Sequence, residues 1–198
     1  CIHTTAASHG RVFIVEVMGH KVGWLTLYAG IAGGADIILI PEIPYDIKAI
    51  IEALQKRQRA GSRFSIIVVA EGAISKETAA LSKKERKTKL ASRRYPSVAY
   101  QSGAEIQAIT GQEVRVTVPG HTQRGGAPNP YDRVLSSRLG ARAAKLISEG
   151  RFGEMVVIRN NEITSIPLEE SAGKLKTVDP NASIVEEARL LGLSFGDR

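Results

Sequence analysis

His121 and Arg124 stand just ahead of the glycine pair Gly125 and Gly126, inside the stretch VPGHTQRGGAPNPYDR at residues 118–133. Both side chains present donors to an anion, and the paired glycines let the backbone approach it with no side chain in the way. A sugar phosphate suits that arrangement. The stretch follows a predicted strand at residues 113–118 and precedes a helical pattern that begins after Pro130, which is where open α/β sheets bind ligands. A glycine pair after a strand also serves as a plain turn, so the chemistry by itself leaves both readings open.

The elements that must position these groups read as alternating strands and helices. Residues 11–17 form a nearly continuous apolar run ending at Met18 and Gly19, the pattern of a strand buried on both faces of a parallel sheet; Glu16 interrupts it and needs a partner. Residues 21–32 read as a helix rich in small residues, and 36–41 as a second buried strand stopped by Pro41 and Pro44. A helix over 45–60 follows, with Ile47, Ile50, Ile51 and Leu54 on one face. The third apolar strand, 64–70, ends at Glu71 and Gly72, so a carboxylate lies at the same sheet edge as Met18 and Gly19. Strand, helix, strand, helix, strand implies right-handed parallel crossovers.

Farther on, Pro96 opens a helix through residue 109. Residues 131–150 suit an amphipathic helix, and 154–158 with 162–166 read as a hairpin around Asn160 and Asn161. A short helix over 168–175 and a terminal helix over 183–191, with Ser183 as its N-cap, complete the chain. Residues 2–10 show no packing pattern of their own, and the start reads as cut.

Composition bounds the rest. The 198 residues, 43% hydrophobic and 24% charged, are enough for one sizeable core. No apolar run approaches the roughly 20 residues that span a bilayer, and the first residues lack a signal-peptide layout, which points to a cytoplasmic protein without a membrane partner. A single cysteine, Cys1, excludes an internal disulfide framework and a cysteine-based zinc site, in keeping with a reducing compartment. The net charge is +7, and residues 76–94 hold eight Lys or Arg against two Glu, so most of the surplus sits there. Basic helices bind phosphate backbones, but this run has no aromatic platform before Tyr95, and a solvated basic helix with no nucleic-acid partner is the expectation.

The wording GHTQRGG followed by PYDR resembles the corresponding motif of the 6-phosphofructokinases. A second block, RVFIVEVMGHKVGWLTLYAGIAGGADIILIPE at residues 11–42, is similar to that family's strand, Met-Gly turn, helix and following strand. The resemblance covers essentially the whole chain, as the C-terminal larger part of a subunit of the bacterial type. It implies a three-layer α/β sandwich with a largely parallel sheet. Residues 1–126 would be the substrate-binding lobe, 127–166 a segment crossing back to an N-terminal lobe, and 167–198 helices returning to the first lobe.

The same resemblance implies site residues. Met18 and Gly19 match the turn against the sugar, Glu71 the sugar-binding carboxylate, and His121 and Arg124 the groups for substrate phosphate and sugar. Arg11 and Arg115 match fructose-phosphate ligands donated across a subunit interface. On their residue types alone, Arg11 and Arg115 also read as surface charges, Glu71 as a helix N-terminal carboxylate and Met18 as core. His20 departs from the pattern, which has arginine after Met-Gly; arginine is always protonated, whereas histidine is largely neutral at pH 7, so any contact with transition-state charge there is weaker. Where allosteric members carry a lysine-rich effector site, this chain has Ala60, Gly61, Ser62 and Arg63, with Asp36 at the acidic position.

The family's glycine-rich nucleotide loop, its GGDG-like motif and the TIDND-like motif with the catalytic aspartate do not occur in this sequence. No catalytic residue or metal ligand is therefore assigned in it. The resemblance implies a glycolytic phosphotransferase acting on the 1-hydroxyl of fructose 6-phosphate, a homotetramer with shared substrate sites, with ATP (or pyrophosphate) and Mg2+ held mainly by an N-terminal part. A pyrophosphate-dependent enzyme and a non-catalytic binding or oligomerisation module of the same fold are the alternatives. Separated from its other half, the chain is expected to be inactive and to expose Val134, Leu135, Leu139, Leu146, Val156 and Ile158.

Overall fold

The computed structural model describes residues 2–198; Cys1, the basis of the compartment reading, lies outside the described residues. In chain order the elements are α1 (Ile2–His9), β1 (Val12–Val17), α2 (Trp24–Ala32), β2 (Ile37–Leu39), α3 (Ile47–Arg59), β3 (Ser65–Ala70), α4 (Lys76–Ala79), α5 (Lys83–Ala91), α6 (Val98–Thr110), β4 (Val114–Thr117), a 3-10 turn (Gly120–Arg124), α7 (Pro130–Ser148), β5 (Glu154–Arg159), β6 (Glu162–Pro167), α8 (Leu168–Ser171) and α9 (Ser183–Leu190). The chain divides into two units, residues 1–123 with 177–198 and residues 124–176.

In the first unit a wholly parallel sheet runs in the order β2-β3-β1-β4. The continuous apolar strands follow from burial on both faces. Phe13 and Val17 of β1 pack on one side with Leu27 of α2, Val185 of α9 and Ala6 of α1. Val12 and Ile14 pack on the other with Ile50 and Leu54 of α3 and Ile106 of α6. Each of these Phe, Val, Leu and Ile side chains stabilises the fold by about 1.5–3 kcal/mol on burial. Three layers result, as the sequence pattern and the resemblance imply.

The helices start and stop where local chemistry dictates. The Asp46 carboxylate accepts the Lys48 N–H at 2.9 Å and caps α3, whose last turn carries Lys56, Arg57 and Arg59 against the negative end of the dipole. Gly30 faces the sheet so closely that an added Cβ would lie 2.6 Å from the Ile38 side chain, which is why the small-residue helix α2 sits tight on β2. Glu16 finds its partner at the start of α6: its buried carboxylate accepts the Ala99 N–H at 3.0 Å and does the capping that the Ser97 side chain does not.

In the second unit Asn129 caps α7 through the Asp132 N–H at 2.8 Å, with Pro130 in the first turn. Helix α7 packs on the β5-β6 hairpin, which turns at Asn160 and Asn161 with φ of 48° and 66°. Both angles are the left-handed values that a two-residue hairpin loop requires and that asparagine tolerates.

Four expectations need correction. Residues 2–9 are not a patternless lead-in but helix α1, docked through Ala6 and Ile2 on the core. Residues 76–94 are not one basic helix; Ser82 and Glu85 form a capping box that starts α5 afresh after the single turn of α4. Ser183 is the first residue of α9 and not its cap, which falls on Ala182 without a side-chain bond. Leu146 is buried, and Leu135, Leu139 and Val156 are half-buried, leaving Val134 and Ile158 exposed of the six named. Among the described residues no helix is long and apolar enough to cross a membrane.

Candidate functional site

Because the four strands are parallel, β1 and β3 deliver their C-terminal ends to one edge of the sheet, and their register aligns Val17 with Ala70. The next residues meet there. The Glu71 Oε1 accepts the Gly19 N–H at 3.1 Å and the His20 N–H at 2.6 Å. That carboxylate holds the Met18–Gly19–His20 turn in place, with His20 in the left-handed region at φ 54°. Gly72 makes the approach possible, since a Cβ there would lie 1.8 Å from the His20 carbonyl oxygen. The second carboxylate oxygen, Oε2, faces no donor among the described residues and is available to accept a hydroxyl.

The turn carrying His121 joins the same edge through a residue that sequence reasoning passed over. Gln123 Oε1 accepts the Met18 N–H at 3.2 Å across 105 positions of sequence. Because a backbone N–H can only donate, the amide oxygen must face it, and the Gln123 Nε2 is left buried without a partner in the structure. His121 itself is exposed. Arg124 falls in the second unit. Nothing local in the sequence marks Gln123, because its partner is Met18.

Arg11 and Arg115 lie elsewhere. Arg11 precedes β1 and Arg115 aligns with Phe13, so both stand toward the N-terminal end of the strands, roughly 16 Å (Arg115) to 23 Å (Arg11) from Met18 at about 3.3 Å per residue. Glu113, also unnoticed from sequence, forms ion pairs with both.

Asp36 and Arg63 line two neighbouring clefts that have Ser62 in common. The Asp36 carboxylate accepts the Ile66 N–H at 2.8 Å and pairs with Arg57 at 2.8 Å. Burial outweighs these two influences and pushes its pKa above the ordinary carboxylate value. Asp36 lines a cleft of about 720 Å³ between α3 and α9, whereas Arg63 lines one of about 390 Å³ beside Arg11. Among the described residues no group of three His, Cys, Asp or Glu could hold a metal ion.

A carboxylate-pinned turn thus stands beside a histidine-bearing turn at the carboxyl end of a parallel sheet. The family profile described as Phosphofructokinase matches residues 1–147. The chain belongs to the phosphofructokinase family. It is 55% identical to the ATP-dependent 6-phosphofructokinase of Spirochaeta thermophila over 99% of this chain and 54% of that one. It is 47% identical to the protein of the same name from Chloroflexus aurantiacus, over 99% and 53%.

The chain thus spans about half the length of these phosphofructokinases. Among solved structures, the phosphofructokinase of Saccharomyces cerevisiae superposes with a TM-score of 0.67 at 35% identity, covering 86% of this chain and 21% of the other. A pyrophosphate-dependent phosphofructokinase from Nitrosospira multiformis gives a TM-score of 0.73 at 18% identity, over 92% and 46%, which shows the shared fold alone.

Proposed function

We propose that this chain supplies the fructose 6-phosphate side of the active site of an ATP-dependent 6-phosphofructokinase, which transfers a phosphoryl group to the sugar 1-hydroxyl. The observation that carries the reading is the Glu71 carboxylate fastened under the Gly19 and His20 N–H groups, with one oxygen left to receive a sugar hydroxyl. His121 and Arg124 would serve the substrate phosphate and sugar, arginine gripping phosphate with a planar fork. Met18 and Gly19 would shape the floor against the sugar.

Arg11 and Arg115 act for a neighbouring subunit in this reading, which accords with their place at the opposite end of the strands and implies a homo-oligomer, four subunits with shared sites. Asp36 and Arg63 remain the effector residues proposed from the resemblance, now from two neighbouring clefts. The donor nucleotide and Mg2+ fall to the half of the enzyme that this chain does not span. Phosphoryl transfer rests on positioning donor, acceptor and metal together, so this chain by itself is inactive. In this reading the complete enzyme acts in the cytoplasm, in glycolysis.

ATP is favoured as donor because the relatives at 47–55% identity carry that name. The test is to join the chain to a donor-binding half and to assay fructose 6-phosphate-dependent turnover with ATP and with pyrophosphate. Turnover with ATP, and a KM for fructose 6-phosphate raised about tenfold or more by His121→Ala with little change in the KM for ATP, is expected. Turnover with pyrophosphate alone, or a sugar KM indifferent to His121, contradicts the proposal.

A further inference from the structure

We propose that a small phosphate-bearing anion binds in the cleft between α5 and α6, apart from the site built on Glu71. The cleft encloses about 240 Å³, below the roughly 300–1,000 Å³ of pockets that take drug-sized ligands. A phosphate group fits it, and the adjoining space of about 110 Å³ that shares Ser75, Lys89 and Glu105 carries the further carboxylates Asp46 and Glu77. Three cations, Lys89, Arg93 and Arg94, line it, and none of them is in an ion pair among the described residues. Its one carboxylate, Glu105, already accepts the Gln101 amide at 3.0 Å. Like charges gathered around a concave space raise one another's energy, and an anion relieves that.

The donors are arranged for it. The Arg94 guanidinium lies over the Tyr95 ring at 5.8 Å, a stacking that leaves its N–H edge for an oxyanion. The Thr78 Oγ1 accepts from the Ser75 hydroxyl at 3.1 Å, so its own proton remains to be donated. The floor is firm, because the Tyr45 N–H donates to the Ile74 carbonyl at 3.1 Å and the Lys76 N–H to the Tyr45 carbonyl at 2.7 Å. Helix α5 is started by its capping box and packs only through the half-buried Arg86 and Leu90, so its remaining basic side chains are free to face an anion.

The experiment follows backbone amides of the isotope-labelled chain as sodium phosphate is added at constant ionic strength, with sodium chloride as control and 3-phosphoglycerate as a second probe. Saturable shifts at Ser75, Thr78, Ser92 and Tyr95 are expected with phosphate and not with chloride. The double variant Lys89→Gln with Arg93→Gln should weaken the affinity about tenfold or more while leaving the remaining amides unmoved. Tighter binding of 3-phosphoglycerate supports a phosphorylated acid as occupant, and equal affinity supports the phosphate group alone. Shifts that fail to saturate, that chloride reproduces or that survive the double variant overturn the proposal.

Discussion

The backbone nitrogen of His20 lies 2.6 Å from the Oε1 of Glu71, 51 residues away, and this bond holds a non-glycine residue at φ 54°. Glu71→Ala removes the acceptor for two N–H groups at an exposed edge and should cost about 0.5–1.5 kcal/mol, whereas Glu71→Gln keeps an acceptor and should cost less. Gly72→Ala forces a Cβ against the His20 carbonyl and should cost about 1–3 kcal/mol. Urea unfolding followed through Trp24, the single tryptophan and part of the first unit, reads these differences. Equal stability of Gly72→Ala and the parent would show that the turn is not held as described.

Arg189 donates to both carboxylate oxygens of Asp197, at 2.9 and 2.8 Å. Burial works against ionisation of Asp197, but the hydrogen bond and charge of Arg189 prevail, and its pKa is lowered in the folded chain. Between the folded pKa and the ordinary value of about 4 the unfolded chain binds the extra proton, so this stabilisation is present above about pH 4 and is lost as pH falls through the folded pKa. Asp197→Asn should therefore destabilise by about 1–3 kcal/mol at pH 7, with the gap to the parent closing toward pH 3. Stability curves of the two proteins against pH test it, and a gap that widens on acidification would reverse the sign.

The second unit leaves Tyr131 69%, Val134 60% and Phe152 76% exposed. Covering such side chains is worth about 1.5–3 kcal/mol each, and soluble chains seldom leave several wet together. The chain by itself is expected to self-associate through this unit, and Val134→Asp with Phe152→Ser to lower the mass seen by light scattering. A strictly monomeric parent with strong amide protection over residues 131–166 would contradict this, along with the crossing of residues 127–166 to another lobe.

Much of the first unit was legible because a doubly buried strand writes a continuous apolar run, as Ile14 and Ile67 show, and a parallel sheet sends every strand end to one edge. The hairpin was legible in Asn160 and Asn161, whose left-handed angles are local. Helix α1 was not, since only Ala6 and Ile2 anchor it and no stripe announces it. The restart of α5 was written in the spacing of Ser82 and Glu85 but masked by the lysines around it. In the site, Glu71 could be placed at a strand end from sequence, whereas the grip of Gln123 on Met18 and of Glu113 on two arginines depends on contacts between distant segments.

The most direct test of the central claim is a fructose 6-phosphate titration of the labelled chain, read at individual amides. The account predicts shifts at Gly19, His20, Gly72, His121 and Gln123, of low affinity because Arg11 and Arg115 serve a neighbour, and about tenfold weaker still in Glu71→Ala. Shifts confined to residues 75–95, with residues 18–20 and 120–123 unmoved, would contradict it.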